Sequence, residues 1–134
     1  MQIHRDEALR AHNTLALDAC ADAFVTVSSE VQLLTALAWA RARSLPVVPL
    51  GTGSNVVFAG DINALVVRQA TRGIRVLETG ASSVYLRVAA GENWHELVQW
   101  CLDQRYYGLE NLALIPGTVG AAPIQNIGAY GVEL

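Results

Sequence analysis

The chain has 134 residues, of which 52% are hydrophobic and 16% charged. That is enough apolar mass for one domain or part of a larger one, and too much for a disordered segment. A net charge of -3 excludes the basic footprint of a nucleic-acid module. All nine basic residues are arginines, which removes a Walker-type phosphate lysine, Schiff-base catalysis and a pyridoxal-phosphate linkage.

In chain order, the first 22 residues read as polar and irregular, with Asn13-Thr14 as a turn. Ala23 to Val27 reads as a short buried strand. Ser29 is an N-cap with Gln32 closing a capping box, and the helix expected from Glu30 to Arg43 presents Val31, Leu34, Leu37 and Ala38 on one face, with Leu33 and Ala40 beside it. Pro46 to Leu50 is a second short strand, whose two prolines place it at an edge or direct its missing donors away from a ladder. Strand, helix and strand in this order predict a parallel crossover. Gly51-Thr52-Gly53-Ser54-Asn55 follows, then a strand at Val56 to Phe58, a turn at Gly60-Asp61 and a strand from Ala64 to Arg68.

Gly73 to Glu78 and Ser83 to Ala90 read as a hairpin through Thr79-Gly80-Ala81. Asn93 is the N-cap of a second helix, with Glu96 as its capping-box acid. Trp94, Leu97, Val98, Cys101 and Leu102 follow helical spacing. Cys101 therefore reads as a buried thiol, and the separation of Cys20 from Cys101 offers no metal site. From Gly108 onward the chain is glycine-rich and nearly uncharged. It reaches Leu134 in what reads as a strand or loop under way, so the expectation is a truncated chain. The polar start Met1–Arg10 precedes no apolar signal region, and no window has the length of a membrane span. The expected location is cytoplasmic, with no membrane partner.

Two segments carry candidate chemistry. Glycines following the strand that ends at Leu50 let successive amides form a concave anion-binding nest, with Ser54 and Asn55 adding donors of little bulk. A Rossmann fingerprint requires a third glycine and a helix immediately afterwards. Neither is predicted here, and a lone Gly-x-Gly is equally satisfied by an ordinary tight turn. The second segment is Leu109 to Gly131. Ile115-Pro116-Gly117 reads as a turn and Thr118 as a cap. Gly117, Gly120, Ala121 and Ala122 are small enough for a flat ligand to approach the main chain, with Ile115 and Ile124 against a planar ring. A close-packed backbone crossing explains the same composition.

No catalytic constellation emerges. His4 and His12 are expected in solvent, as is His95 on the polar face of the second helix. Glu92 and Glu96 are expected to serve that helix's start, and Trp39, Trp94 and Trp100 the core.

Asn13-Thr14, LGTGSN at Leu50 to Asn55, AGENWHELV at Ala90 to Val98 and GLENLALIPGTVGAAPIQNIGAYGVEL at Gly108 to Leu134 together resemble the UDP-N-acetylenolpyruvoylglucosamine reductase family. The resemblance covers essentially the whole chain and only the N-terminal part of the family's length. It implies an α+β FAD-binding fold of the vanillyl-alcohol-oxidase (PCMH) type, with a small parallel α/β lobe at 1–70 and the start of an antiparallel-sheet lobe at 71–134. The family's substrate-binding domain would be absent. By matching position, Leu50, Gly51, Thr52, Gly53, Ser54 and Asn55 would hold the FAD diphosphate. Ile115, Pro116, Gly117, Gly120, Ala121, Ile124 and Gly128 would line the flavin and adenosine, and Tyr130 would lie near the substrate.

Some relatives carry serines in place of Ala121-Ala122, so here amide donors would have to suffice. The loop holds no histidine, and the FAD is expected to be non-covalent. The implied activity is NADPH-dependent reduction of UDP-N-acetylglucosamine enolpyruvate to UDP-N-acetylmuramate in peptidoglycan synthesis. The family's proton donor and carboxylate-polarising residues fall beyond Leu134, so no residue here is assigned to catalysis, and a chain of this extent alone is expected to be inactive and to retain FAD weakly or not at all. A non-catalytic nucleotide-binding module is the alternative. An oxidase of small alcohols is disfavoured by the run Gly108 to Leu134.

Overall fold

Two runs of small and β-branched residues, at 20–27 and 62–69, supply the central strands of the first half. In the computed structural model, which describes residues 1–134, the chain forms two compact units, Met1–Thr71 and Arg72–Leu134. In the first unit β1 (His4–Ala8), β2 (Cys20–Val27), β3 (Val47–Leu50) and β4 (Ile62–Gln69) make one sheet in the order β1-β2-β4-β3. β4 pairs in parallel with both β2 and β3, whereas β1 is antiparallel to β2. Ala64, Leu65, Val66 and Val67 are all buried, as expected of a parallel strand covered on both faces. β3 is an edge strand, where Pro49 can lack an amide proton without breaking a ladder on both sides.

The helix α1 (Glu30–Arg41) covers one face, over Ala23, Val25, Val27, Leu65 and Val67. Its packed stripe differs from the expected one. Ala36 and Ala40 are fully buried with Leu33 and Trp39 beside them, while Val31, Leu34 and Leu37 are 73%, 59% and 38% exposed. Two apolar stripes share this helix, and periodicity cannot choose between them. The sheet's valines fill the interface, so the alanine stripe gives the closer approach.

Ser29 Oγ accepts the Gln32 amide at 3.3 Å, and Gln32 Oε1 accepts the Ser28 amide at 2.8 Å, one residue earlier than a capping box would have it. At the other end Ser44 is left-handed (φ 52°). Its amide donates to Arg41 and that of Leu45 to Ala40, the Schellman closure of a helix.

The opposite face is covered without a helix. Leu9, Phe24, Leu50 and Val66 form its core, with Val56 and Phe58 packed against them. Val56–Phe58 is therefore a covering segment and not the expected strand. The first 22 residues are also more regular than expected, with β1 and a 3₁₀ turn at Leu9–His12. The polar residues of β1 concealed an edge strand, which joins the sheet through its backbone.

In the second unit β5 (Ile74–Thr79) and β6 (Val84–Val88) form the expected hairpin, closed by Gly80 N–H to the Ser83 carbonyl at 2.8 Å. The helix α2 (Trp94–Asp103) begins where expected, with Asn93 Oδ1 accepting the Glu96 amide at 3.0 Å. Trp94, Leu97, Val98 and Cys101 pack on Leu112, Ala122 and Ile127, and Leu102 lies at the margin, 38% exposed. Burial pushes the Cys101 thiol up, which suits a packing residue and not a nucleophile. Two short strands, β7 (Gly128–Ala129) and β8 (Val132–Glu133), end the chain.

Leu65→Ala empties a fully buried position on the central strand, and urea denaturation is expected to show a loss of about 2–5 kcal/mol. Leu34→Ala, on the exposed stripe, should stay within about 0.5 kcal/mol of the parent.

Candidate cofactor-binding site

β3 ends at Leu50, 3% exposed, and delivers the chain into Gly51–Asn55. Gly53 has φ +74°, and a Cβ there would strike the His12 carbonyl oxygen and lie 2.8 Å from Asn13 Cα. Only glycine fits. The Gly53 carbonyl accepts the Thr14 amide at 3.1 Å and the Thr14 hydroxyl at 3.4 Å. Asn13 is buried and organises that turn: its Nδ2 donates to the carbonyls of Leu9 (2.8 Å) and Leu17 (3.1 Å), and its Oδ1 accepts the Leu17 amide at 2.9 Å. His12, expected in solvent, is tucked in. Its ring stacks on Phe24 with centroids 4.3 Å apart and lies 3.6 Å from Glu7.

The loop's own donors are left over. None of the amides of Gly51, Thr52, Gly53, Ser54 or Asn55 donates to a protein acceptor, and among their side chains Thr52 Oγ1 donates to Ser54 Oγ at 3.2 Å. Consecutive unpartnered amides around a left-handed glycine form an anion-binding nest. These residues fit a diphosphate. No helix follows them, and the dinucleotide fingerprint of a Rossmann fold is excluded.

The second segment is built differently. Trp94 donates its amide to the Gly117 carbonyl (3.1 Å) and its indole N–H to Leu112 (2.8 Å); Val119 N–H reaches Glu92 and Gly120 N–H reaches Ala90, both at 2.9 Å. A Cβ on Gly120 would approach Ala90 Cβ to 2.7 Å. Gly120 is thus where two backbones cross in contact. The amides of Ala121 and Ala122 both turn back to the Thr118 carbonyl, so that carbonyl, and not the expected hydroxyl cap, closes the turn. Of the two readings of this composition, the backbone crossing is the one the structure bears out, and the amides of Gly120 and Ala121 are engaged by the crossing and the turn.

The segment's exposed side chains include large apolar ones. Ile124 is 82% and Tyr130 89% exposed, while Ile115 is half-buried against the core and Gly117 is buried. Pro116 and Gly128 are exposed, and the Pro116 carbonyl accepts Gln125 Nε2 at 3.2 Å. Tyr130 (φ 53°) and Gly131 (φ 78°) make the two-residue turn between β7 and β8, with both positions left-handed as a type I′ hairpin requires. Leu50 to Asn55 belong to the first unit, and Ile115 to Tyr130 to the second.

Two further residues differ from their expected roles. His95 does not simply face water: its Nδ1 accepts the amide of Leu114 at 3.2 Å, and Leu114 is left-handed (φ 64°) and 77% exposed. Glu92 does not serve the start of α2. Its Oε1 accepts the Gly73 amide at 2.5 Å and its Oε2 the Arg72 guanidinium at 2.9 Å. The Gly73 amide is the main cause, and Arg72 a further one, holding this carboxyl below its ordinary value of 4.5 against the opposing effect of burial. Helix N-terminal position signalled neither role; both are long-range contacts.

A parallel α/β lobe whose glycine loop keeps five amides unpartnered, and an antiparallel hairpin unit that exposes Ile124 and Tyr130, agree with a flavin-binding class of protein. The sequence matches the FAD binding domain family over residues 21–134, and the chain belongs to that family. Its fold is the α+β FAD-binding fold of the vanillyl-alcohol-oxidase (PCMH) type, and its cofactor is FAD.

More particularly, it is 48% identical over its full 134 residues to the UDP-N-acetylenolpyruvoylglucosamine reductase of Pseudomonas fluorescens Pf-5, covering 40% of that protein. It is 54% identical over 129 residues to the reductase of Shewanella baltica, covering 95% of this chain and 37% of that one. The crystal structure of UDP-N-acetylenolpyruvylglucosamine reductase from Thermus caldophilus superposes with a TM-score of 0.73 at 28% identity, over 99% of this chain and 45% of that one. The chain thus spans about 40% of the length of such curated relatives.

Gly120→Ala should destabilise the chain by about 1–3 kcal/mol in denaturant titration, because the Ala90 backbone as well as its Cβ stands in the way. The depressed Glu92 carboxyl gives stability that is present above its unfolded value near 4.5 and is lost as pH falls through the lower folded value. Glu92→Gln is therefore expected to be less stable at pH 7 and to show a shallower loss of stability below pH 4.5, measured by urea unfolding across pH 3 to 7.

Proposed function

We propose that this chain is the FAD-binding part of an NADPH-dependent reductase that converts UDP-N-acetylglucosamine enolpyruvate to UDP-N-acetylmuramate in the cytoplasm. The likeness to such reductases along the whole chain carries this reading, and the unpartnered amides of Gly51–Asn55 support its cofactor half. Bound FAD supplies the two-electron hydride chemistry. The chain's own residues bind and orient it. Leu50 seats the loop, and Gly51, Thr52, Gly53, Ser54 and Asn55 hold the diphosphate. Ile115, Pro116, Gly117, Gly120, Ala121, Ile124 and Gly128 line the ring and adenosine. The last group acts by shape and apolar surface, since the Gly120 and Ala121 amides are already engaged. Tyr130, exposed on its turn, lies beside the substrate.

The cofactor is held without a covalent bond. NADPH and the enolpyruvyl sugar nucleotide are the small-molecule partners, and no nucleic acid, membrane or obligate protein partner belongs to this reading. No helix of the chain is long and apolar enough to cross a membrane. Expressed from its whole reading frame, the protein is expected to purify yellow and to oxidise NADPH only when the enolpyruvyl sugar nucleotide is added. A colourless protein that gains no flavin absorbance on incubation with FAD would overturn the proposal.

A further inference from the structure

The match to the FAD binding domain family begins at residue 21, yet the loop that fits the diphosphate is held from residues 12–14. In a trans peptide the carbonyl and the following amide point in opposite directions. The Gly53 carbonyl is fixed by two donors of one residue, the Thr14 amide at 3.1 Å and the Thr14 hydroxyl at 3.4 Å. The amide of Ser54, on the other side of that peptide, is therefore turned away from the 12–14 turn, and it has no protein acceptor. An unlatched Gly53 peptide could rotate and present its carbonyl oxygen to the ligand, where it would repel an anion. The latch is itself rigid, because buried Asn13 ties it to Leu9 and Leu17 through three hydrogen bonds. No room remains for a side chain at Gly53 to move the loop off it.

We propose that Thr14, supported by Asn13, is a positioning residue for the diphosphate of the cofactor: it sets the direction of the Ser54 amide and thereby the polarity of the nest. Thr14 touches neither phosphate nor flavin and acts through the Gly53 peptide. The inference rests on the cofactor reading above, and its test separates the two.

The experiment uses the protein expressed from its whole reading frame and titrates it with ADP, which carries a diphosphate and no flavin, and with FAD. Amide resonances and dissociation constants are followed for the parent, Thr14→Val and Thr14→Ser. The Ser54 amide should shift strongly when ADP binds the parent. Thr14→Val, which loses the hydroxyl donor and keeps the amide, should weaken both ligands about five- to tenfold. Thr14→Ser should recover to within about twofold, since it restores that donor. A structural role alone would lower the melting temperature of both variants without this recovery. Equal affinity in Thr14→Val and the parent, equal losses in Val and Ser variants, or an unmoved Ser54 amide in the ADP-bound parent would each overturn the latch alone. The last measurement requires no variant to fold. A parent that binds neither ADP nor FAD overturns the latch and the cofactor reading together.

Discussion

The late insertion of β4 between β2 and β3 is the constraint on which the first unit depends. A parallel strand cannot follow its neighbour through a tight turn; the chain must travel back along the sheet before it can pair. Between β2 and β3 it does so through α1. Between β3 and β4 it returns as the irregular stretch Gly51–Asp61. That return must still cover a sheet face, and Val56 and Phe58 supply the apolar contacts a helix would otherwise have brought. The absence of a helix after the glycine loop thus has a packing solution, and it leaves the loop's unpartnered amides without a helix N-terminus beside them.

The second unit meets a different constraint. Its final segment has few ionised side chains and few regular hydrogen bonds, and so needs another source of order. Ala90 to His95 provide it. Carbonyls of Ala90 and Glu92, the amide and indole of Trp94, and the imidazole of His95 all bond to residues between Leu112 and Gly120. The loop before α2 and its first turn form a template that fixes an otherwise irregular chain. Gly120 permits the contact, and the left-handed Leu114 is tolerated because its amide is held.

Elements whose signal is local were legible in the sequence: the Asn93 cap and stripe of α2, the β5–β6 hairpin, and the edge placement of a proline-bearing strand. Elements whose signal is relational were not. Nothing in Glu30–Arg41 says which of two apolar stripes meets a sheet of valines, and nothing in His4–Ala8 marks a strand that pairs only through its backbone. His12 and His95 were read from the polarity of their surroundings, whereas each is placed by a residue distant in sequence, Phe24 and Leu114 respectively. For the candidate site, the glycine loop was legible as a possible nest but equally as a turn. The sequence could not show that five of its amides go unpartnered, because that is a property of everything that does not approach them.

The two glycine-rich segments look alike in composition and differ in what their glycines are for. Gly53 is glycine because backbone stands against it, and the consequence is a row of donors with no acceptor. Gly120 is glycine because Ala90 stands against it; both approaches are hydrogen-bonded, but Gly53 contributes its carbonyl, whereas Gly120 spends its amide on the Ala90 carbonyl. A backbone amide can serve a ligand or a neighbour and not both at full strength. Glycine content alone therefore does not identify an anion site. The distinguishing quantity is the number of amides left over once the fold has closed, and on that measure the donors free for a ligand lie at Gly51–Asn55 and not at Gly120 and Ala121.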